Sequence, residues 1–176
     1  MLEEEIILVD ELDQELGFLP KLEVHQKGLL HRAFSILVFN SNHELLIHQR
    51  AFDKYHSAGL WTNTCCSHPR KGESNEQAIH RRLKEEMGFD CELKFIFKFL
   101  YQTNFADGLI EHELDHVYIG HSDQIPQVDP KEVNAFRWIN QVSLKQEMDQ
   151  FPDRFTFWFK EIILNQQNQF YFPTDL

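Results

Sequence analysis

The sequence predicts a mixed α/β fold in which α-helices flank a β-sheet. Three observations predict it: a continuous apolar run over residues 34–39, a capped amphipathic segment over residues 75–87, and an alternating apolar segment over residues 91–101. A strand covered on both faces reads as a continuous apolar run, and apolar residues at helical spacing mark a helix that packs on such a sheet. We therefore expect an α/β/α sandwich around a mixed β-sheet core.

Length and composition favour a single domain spanning residues 1–176. The chain is 42% hydrophobic and 26% charged, and it has no apolar run of the roughly 18 residues that a membrane span needs. Its formal net charge of -11 argues against binding to a nucleic-acid backbone. The acidic N-terminus does not resemble a signal peptide, and three cysteines do not suit a disulfide framework. We expect a cytoplasmic protein that binds neither membranes nor nucleic acids.

The strands are expected in order along the chain. Residues 5–9 predict the first strand. The apolar segments 34–39 and 45–47 flank the polar residues 40–42, which predicts a β-hairpin. Residues 135–139 predict a further short strand.

Two segments have the spacing of amphipathic helices. Ser74 and Gln77 form a capping box, apolar residues then recur every four positions, and Gly88 ends the pattern. This predicts a helix over residues 75–87, entered through the loop 67–73. A second, C-terminal helix is expected to bury four residues spaced i, i+3, i+4 and i+7: Phe155, Trp158, Phe159 and Ile162.

A second hairpin is expected around the turn at residues 107–108. Apolar residues alternate over residues 91–101, which predicts a strand, and residues 109–119 predict its antiparallel partner. Because side chains alternate along a strand, Glu111 and Glu113 are expected on one face. The opposite face is expected to carry His112 and His116.

Charged residues at fixed spacing mark the loop and helix in the middle of the chain. The residues that fit the pattern are Glu73, Arg81, Glu85, Glu86 and Gly88. They resemble a Nudix box, whose carboxylates face a magnesium-bound diphosphate. Two positions depart from it: Ser67 replaces a glycine, which raises the question of a positive φ, and Arg82 replaces a glutamate. The lost carboxylate favours a relative that binds a diphosphate without hydrolysing it.

Three short strings extend this resemblance to one family. Residues 63–69 read NTCCSHP, residues 31–35 read HRAFS and residues 111–113 read EHE. Together they resemble the type 1 isopentenyl-diphosphate delta-isomerases, with matching blocks from Lys21 to Trp158. The resemblance implies a Nudix-like fold and a metal-dependent enzyme that interconverts isopentenyl and dimethylallyl diphosphate in isoprenoid biosynthesis.

The resemblance implies two proton-handling groups. Moving the double bond through a tertiary carbocation requires one group to donate a proton and another to remove one. By resemblance these are Cys66 and Glu113, the latter assisted by Tyr101, while Trp158 stands against the carbocation. Each also has a structural explanation: Cys66 as a small buried hydrophobe, Glu113 as a solvated strand residue and Trp158 as part of a helical core stripe.

The resemblance also implies two kinds of metal ion. A divalent metal, Mn2+ or Zn2+, is expected at His25, His31, His68, Glu111 and Glu113, a ligand set that suits such ions. The other seven histidines are interpreted as surface or satisfied core residues: His43, His48, His56, His80, His112, His116 and His121.

Mg2+ and four bases are expected to hold the diphosphate. By resemblance, Mg2+ binds the Glu86 side chain and the Cys66 carbonyl. Arg82 suits the diphosphate because guanidinium groups bind phosphate well, although a base at any of these positions can also be a surface side chain. The four implied bases are Lys21, Arg50, Lys54 and Arg82.

Two other functions remain open from the sequence. A Nudix pyrophosphohydrolase explains the box carboxylates equally well, but it gives no role to four residues: His25, His31, Cys66 and Trp158. A Nudix-like ligand-sensing module is a third possibility, and it requires a partner domain for which the chain has little room. We expect a monomer that acts on a small prenyl diphosphate, and the adjacent Cys65 and Cys66, which could oxidise, predict sensitivity to thiol reagents.

Overall fold

The structure contains the mixed β-sheet that the sequence predicts. The computed structural model describes residues 4–54 and 56–166 together with Phe172. The strands within these residues are β1 (Glu5–Val9), β2 (Glu15–Pro20), β3 (His31–Phe39), β4 (Leu45–Arg50), β5 (Trp61–Thr62), β6 (Cys65–Ser67), β7 (Leu93–Asn104), β8 (Ile110–His121) and β9 (Val133–Ile139).

Helices alternate with these strands along the chain. They are α1 (Lys21–Lys27), α2 (Asn75–Met87), α3 (Gln141–Gln150) and α4 (Phe157–Lys160), with a 3-10 turn at Pro152–Arg154 and a π-helical turn at Glu161–Asn165. The bounds of α2 match the predicted helix, and the capping box of Ser74 and Gln77 is formed. Within the described ranges, none of the helices has the length and apolar character needed to cross a membrane.

Strand β3 lies at the centre of the sheet. It runs parallel to β8 and antiparallel to β1 and β6. β7 pairs antiparallel with β8, which confirms the second predicted hairpin, and β2 pairs with β1. β4 pairs antiparallel with β5 and β9.

Side-chain alternation explains why β3 is continuously apolar. Phe34, Ile36 and Val38 pack with the apolar face of α2. Leu37 and Phe39 belong to the core cluster that the C-terminal segment completes on the other face. Both faces of the strand are therefore covered, and the predicted layered α/β architecture is confirmed.

The hairpin predicted for the segments 34–39 and 45–47 is correct only at its turn. Phe39 and Leu45 are the single registered pair between β3 and β4. Beyond them β3 continues beside β6 and β8, whereas β4 continues beside β5 and β9. The hairpin prediction is wrong for the rest of the two strands, because each finds other partners.

The C-terminal helix begins later than its apolar spacing predicts. Phe155 precedes α4 in extended backbone, with φ -117° and ψ 146°, and forms a bridge with Trp61. Its helical assignment is wrong, because its backbone pairs with that strand residue instead. The predicted burial is nevertheless correct, since Trp158, Phe159 and Ile162 are as deeply buried as Phe155.

A β-bulge in β7 determines which residues face the core beneath the C-terminal segment. Ile96 is an extra residue between Phe95 and Phe97, where the register with β8 shifts. The alternation predicted over residues 91–101 is therefore interrupted: Phe95 is 47% exposed, whereas Tyr101 is 7% exposed. The bulge places Tyr101 on the same face of the sheet as the glutamates of β8.

Candidate active site

Three neighbouring strands bring an acid, a tyrosine and a histidine into one row. Glu113 of β8 is in register with Tyr101 of β7 on one side and with His31 of β3 on the other. Glu111 lies on the same face, and both carboxylates are buried. The Tyr101 hydroxyl donates a hydrogen bond of 2.6 Å to Glu113 Oε2 and lies 3.1 Å from Glu111 Oε2. The two glutamates therefore share the face that side-chain alternation predicts.

Three histidines surround the Glu113 carboxylate. His25 of α1, His31 of β3 and His68, which follows β6, place one ring nitrogen each within 4.8 Å of one another and of a Glu113 oxygen. His68 Nε2 lies 2.9 Å from Glu113 Oε1 and 3.2 Å from His31 Nε2. All four residues are buried. Such a set has the size and chemistry of a divalent-metal site.

Hydrogen bonds behind the histidine rings fit metal binding. His25 Nδ1 lies 2.7 Å from the carbonyl oxygen of Lys21, and His31 Nδ1 lies 2.8 Å from that of Leu29. An Nδ1–H that donates to a carbonyl fixes the tautomer and directs the Nε2 lone pair towards the cluster. Burial lowers the pKa of His25 to about 4 and that of His68 well below its usual value. Both rings are thus neutral at pH 7, the state that binds metal.

The two glutamates differ in their environments. Burial, reinforced by the negative charge of Glu113, raises the pKa of Glu111 well above its usual value. Burial acts in the same direction on Glu113, but the adjacent His31 and His68 side chains outweigh it and hold the pKa of this carboxyl well below its usual value. The pKa values of the two carboxyls are therefore shifted in opposite directions, upward for Glu111 and downward for Glu113.

His56 is a site residue that sequence reasoning missed. His25, His56 and Glu111 also offer ligand atoms within 4.8 Å of one another, and His56 Nε2 lies 3.4 Å from Glu111 Oε1. From the sequence it is interpreted as an ordinary surface or core histidine, and the loop between β4 and β5 places it beside the cluster. Irregular loops leave no periodic pattern that could have identified it. Within the described part of the chain, the other six histidines lie outside both groups.

Cys66 faces a small cavity together with Tyr101 and Glu113. The cavity has a volume of about 40 Å³, and Glu111 and Trp158 also line it. Burial raises the pKa of the Cys66 thiol to about 12. The thiol is therefore protonated at neutral pH, and it can donate a proton.

Strand β6 sends its two cysteines in opposite directions. Cys65 packs in the cluster beneath α2, whereas Cys66 packs against the cluster on the other face. A disulfide between these neighbours would require the strand to rearrange, and the sensitivity of Cys66 to thiol reagents stays a prediction. Ser67 lies in register with Phe34 in extended backbone, and it is absent from the described residues with positive φ. This position therefore does not need glycine.

Trp158 is held in one orientation at the wall of the cavity. Its Nε1–H donates to Asn63 Oδ1 at 3.2 Å, and the Arg50 guanidinium carbon lies 5.5 Å from the ring centroid. The side chain is 3% exposed. Trp158 thus belongs both to the helical core stripe and to the lining of the cavity.

A second cavity, of about 120 Å³, adjoins the first and collects basic residues. It is lined by the four bases expected to bind a diphosphate, namely Lys21, Arg50, Lys54 and Arg82. Burial lowers the pKa of Lys21; the negative charge of Glu4 opposes this shift, and the positive charges of the other three bases add to it. The bases therefore repel one another. An anionic ligand such as a diphosphate would relieve this repulsion.

Three glutamates line the same cavity as these bases: Glu4, Glu86 and Glu132. Arg82 forms an ion pair with Glu86 and lies 3.3 Å from Glu132. Lys54 Nζ lies 2.5 Å from Glu132 Oε2. Sequence reasoning missed Glu132 because it precedes a short strand and belongs to no motif. Cys66, whose carbonyl is the other expected magnesium ligand, also lines this cavity. The two expected magnesium ligands therefore lie at the same cavity.

The other two glutamates of the Nudix-like box are bound by arginine. Glu73 accepts hydrogen bonds of 2.6 and 2.7 Å from Arg81. Glu85 accepts bonds of 3.1 Å from Arg81 and 2.8 Å from Arg82. Among these three carboxylates, Glu86 is the one that lines the basic cavity.

Comparisons with known proteins agree with this geometry. Residues 29–159 match the NUDIX domain family. The chain is 51% identical over 162 residues to isopentenyl-diphosphate Delta-isomerase 2 of Photorhabdus laumondii, covering 92% of each protein. It is also 51% identical to the isopentenyl-diphosphate Delta-isomerase of Serratia proteamaculans, covering 92% of this chain and 90% of that protein.

A solved structure is similar in fold. The crystal structure of DR0079 from Deinococcus radiodurans aligns with a TM-score of 0.76, covering 96% of this chain and all of that chain at 16% identity. At this identity the likeness shows the fold alone. The family match and the sequence relatives show the family: the chain belongs to the isopentenyl-diphosphate Delta-isomerases, within the NUDIX family.

Proposed function

We propose that this protein interconverts isopentenyl diphosphate and dimethylallyl diphosphate. The observation that supports this most directly is the buried cavity onto which the Cys66 thiol and the Glu113 carboxylate both open. A double-bond shift through a carbocation needs one group that donates a proton and one that removes a proton. The named activity of the relatives at 51% identity supports the same assignment.

The reaction moves one proton onto the substrate and another off it. Protonation of the terminal methylene carbon of isopentenyl diphosphate leaves a tertiary cation at the neighbouring carbon. Loss of a proton from the next carbon towards the diphosphate then gives dimethylallyl diphosphate, so that no proton is consumed overall. We assign these two transfers to the Cys66 thiol and to Glu113 with the Tyr101 hydroxyl, and the order of the two depends on the direction of the reaction.

The cavity favours the cation by what it contains and by what it excludes. Trp158 offers an aromatic face, and a desolvated cation–π contact is worth about 2 kcal/mol. That is roughly thirtyfold in rate, so proton transfer and positioning must supply the larger part. The hydrocarbon of the bound substrate would fill this small volume and displace water, which would trap the cation as an alcohol.

We assign the diphosphate to the adjoining basic cavity. Lys21, Arg50, Lys54 and Arg82 supply four positive charges there, and Arg82 can bind phosphate oxygens in a bidentate manner. Mg2+ is proposed to arrive with the substrate and to bind Glu86 and the Cys66 carbonyl.

A second divalent metal, Mn2+ or Zn2+, is proposed at the histidine–glutamate cluster. Its ligands would be His25, His31, His68, Glu111 and Glu113. When bound, the ion supplies positive charge that favours the ionised form of both glutamates. The cluster fits such an ion because its imidazoles are neutral and buried. Tyr101 keeps its hydroxyl on Glu113, where a proton can be exchanged with the substrate.

Nudix pyrophosphohydrolysis is the main competing function. It draws on several box carboxylates for its magnesium ions, whereas of Glu73, Glu85 and Glu86 only Glu86 lines the basic cavity here. Arg82 adds a positive charge where the box has a further carboxylate.

We also propose a cytoplasmic monomer that takes a small prenyl diphosphate and binds neither nucleic acid nor membrane, in keeping with a net charge of -11.

One experiment separates these functions. Purified, reduced protein is incubated with isopentenyl diphosphate and Mg2+ in deuterated water, and the product is followed by proton NMR together with release of phosphate or pyrophosphate. We expect dimethylallyl diphosphate that carries deuterium, without phosphate release. An unchanged alkene in metal-replete protein would refute the isomerase assignment, and phosphate release would support the hydrolase.

A further inference from the structure

His56 stands where three cavities meet. It lines the 40 Å³ cavity of Cys66 and Glu113, the 120 Å³ basic cavity, and an outer groove of about 500 Å³. Among the described residues, it alone lines all three. The imidazole ring therefore forms the partition between the small cavity and the outer groove.

The ring is fixed in this place by its neighbours. It stacks on Phe105 at a centroid distance of 4.9 Å and an interplanar angle of 24°, and it meets Trp158 edge-on at 6.2 Å. Its Nε2 lies 3.4 Å from Glu111 Oε1, and only 8% of the residue is exposed. Packing on both sides makes His56 a wall of the cavity.

The small cavity is close to the minimum for its substrate. A water-sized group needs roughly 10–15 Å³ of such space, so 40 Å³ holds roughly three or four groups of that size. The isopentenyl group has five carbons. Even this group must therefore contact the lining side chains closely, and a longer hydrocarbon must displace one of these side chains.

His56 is the wall that has space behind it. Phe34 and Trp158, which also line the small cavity, belong to the two core clusters of the sheet. Behind His56 lies the outer groove, whose apolar lining includes Leu60, Phe105, Phe155 and Phe157. A hydrocarbon that passed this ring would enter apolar surroundings, where each added methylene tightens binding by about three- to fourfold.

We propose that His56 is a specificity-determining residue that limits the substrate to a five-carbon group by closing the small cavity against the outer groove. This inference rests on the proposed function, because it assumes that the hydrocarbon lies beside Cys66 and the diphosphate in the basic cavity. The bulk of the ring, rather than its nitrogen atoms, performs this role. A phenyl ring should therefore replace it, and a methyl group should not.

The test compares His56→Ala with His56→Phe by titration calorimetry in the presence of Mg2+. The probes are two saturated diphosphates that cannot isomerise, isopentyl diphosphate and the ten-carbon 3,7-dimethyloctyl diphosphate. We expect the unmodified protein and His56→Phe to bind the five-carbon probe at least tenfold more tightly than the ten-carbon probe. In His56→Ala this ratio should fall by at least tenfold, mainly through tighter binding of the longer probe.

Two results would overturn the proposal. The first is an unchanged ratio in a folded His56→Ala protein. The second is that both variants lose the preference for the five-carbon probe and also lose bound metal. That result would identify His56 as a metal ligand instead of a residue that closes the cavity. Because the probes bind without turnover, this test is independent of the isomerase assignment. That assignment would fail separately if the unmodified protein bound the probes but left isopentenyl diphosphate unchanged.

Discussion

The hydroxyl of Tyr101 donates a 2.6 Å hydrogen bond to Glu113, directly across the paired strands β7 and β8. The bond is short and charge-assisted, and bonds of this kind are worth about 1.5–3 kcal/mol. It keeps a proton at the carboxylate that we assign to proton transfer. The pair therefore acts as one unit.

Replacing this tyrosine should lower turnover more than substrate binding. Tyr101→Phe is expected to reduce kcat by about 10- to 100-fold, the loss equivalent to one such bond, with little change in KM. The matched control is Tyr118→Phe, on the other face of β8, which should retain activity. Equal kcat values for Tyr101→Phe and the unmodified protein would contradict the assigned role.

The two proposed proton-transfer groups should each be essential. Cys66→Ala and Glu113→Gln are expected to reduce turnover by at least 100-fold, since general acid–base groups contribute about 10²–10⁴-fold. Both proteins should keep the far-UV circular dichroism spectrum of the unmodified chain. Cys91→Ser, a change at a cysteine outside the cavities, is the control. Near-normal activity in either active-site variant would remove that residue from the mechanism.

Local sequence patterns predict the helices and strands of the site better than they predict how these elements are arranged in space. The capping box fixes the start of α2, and alternation along β8 places Glu111 and Glu113 on one face. Both features depend on residues close together in sequence. The match of Tyr101 to Glu113 depends instead on the bulge at Ile96, which shifts the register of two strands and leaves no mark on the apolar pattern.

Site residues that come from distant segments of the chain escape sequence reasoning for the same reason. His25, His31 and His68 have no ligand spacing of their own, and only the resemblance to a family brought them together. His56 and Glu132 lie in irregular segments and were not identified. Their positions follow from long-range packing, which periodicity does not describe.

Metal binding should depend on the buried histidines. His68→Ala removes the imidazole that lies 2.9 Å from Glu113, and we expect the metal content, measured by mass spectrometry after dialysis, to fall from about one ion to near zero. His112→Ala, on the opposite face of β8, should keep its metal. Chelation of the unmodified protein should abolish turnover, and adding back Mn2+ or Zn2+ should restore it. Full metal content in His68→Ala would contradict the proposed ligand set.

Acid stability should depend on a network on the far side of the sheet. Asp13 accepts hydrogen bonds from Arg32, Lys98 and His116. Burial raises the pKa of this carboxyl, but the hydrogen bonds outweigh it and leave the pKa below its usual value. The stabilisation is therefore complete above the unfolded pKa of about 4 and is lost as the pH falls through the lower folded value.

Asp13→Asn tests this network by thermal denaturation. At pH 7 its Tm should lie a few degrees below that of the unmodified protein, and the difference should shrink below about pH 4. Asn tolerates the positive φ of this position, 69°, so backbone strain adds little. The exposed Asp149→Asn should have no effect at either pH. A Tm difference that stays constant down to pH 2 would point to packing in place of charge.

Glu132 should weaken the binding of a diphosphate when magnesium is absent. Its carboxylate lies 2.5 Å from Lys54 Nζ and 3.3 Å from Arg82 Nη2, so it competes with an anionic ligand for both cations. Removing one like charge from a partly buried site is worth about 1 kcal/mol, or about fivefold in affinity. Glu132→Gln is therefore expected to lower the Kd for inorganic pyrophosphate, measured by calorimetry without added Mg2+, by about that factor. The control is Glu85→Gln, which also removes a partner of Arg82 but lies outside the basic cavity. It should change the Kd by less than about twofold. Weaker binding of pyrophosphate by Glu132→Gln would show that Glu132 positions the bases instead of competing for them.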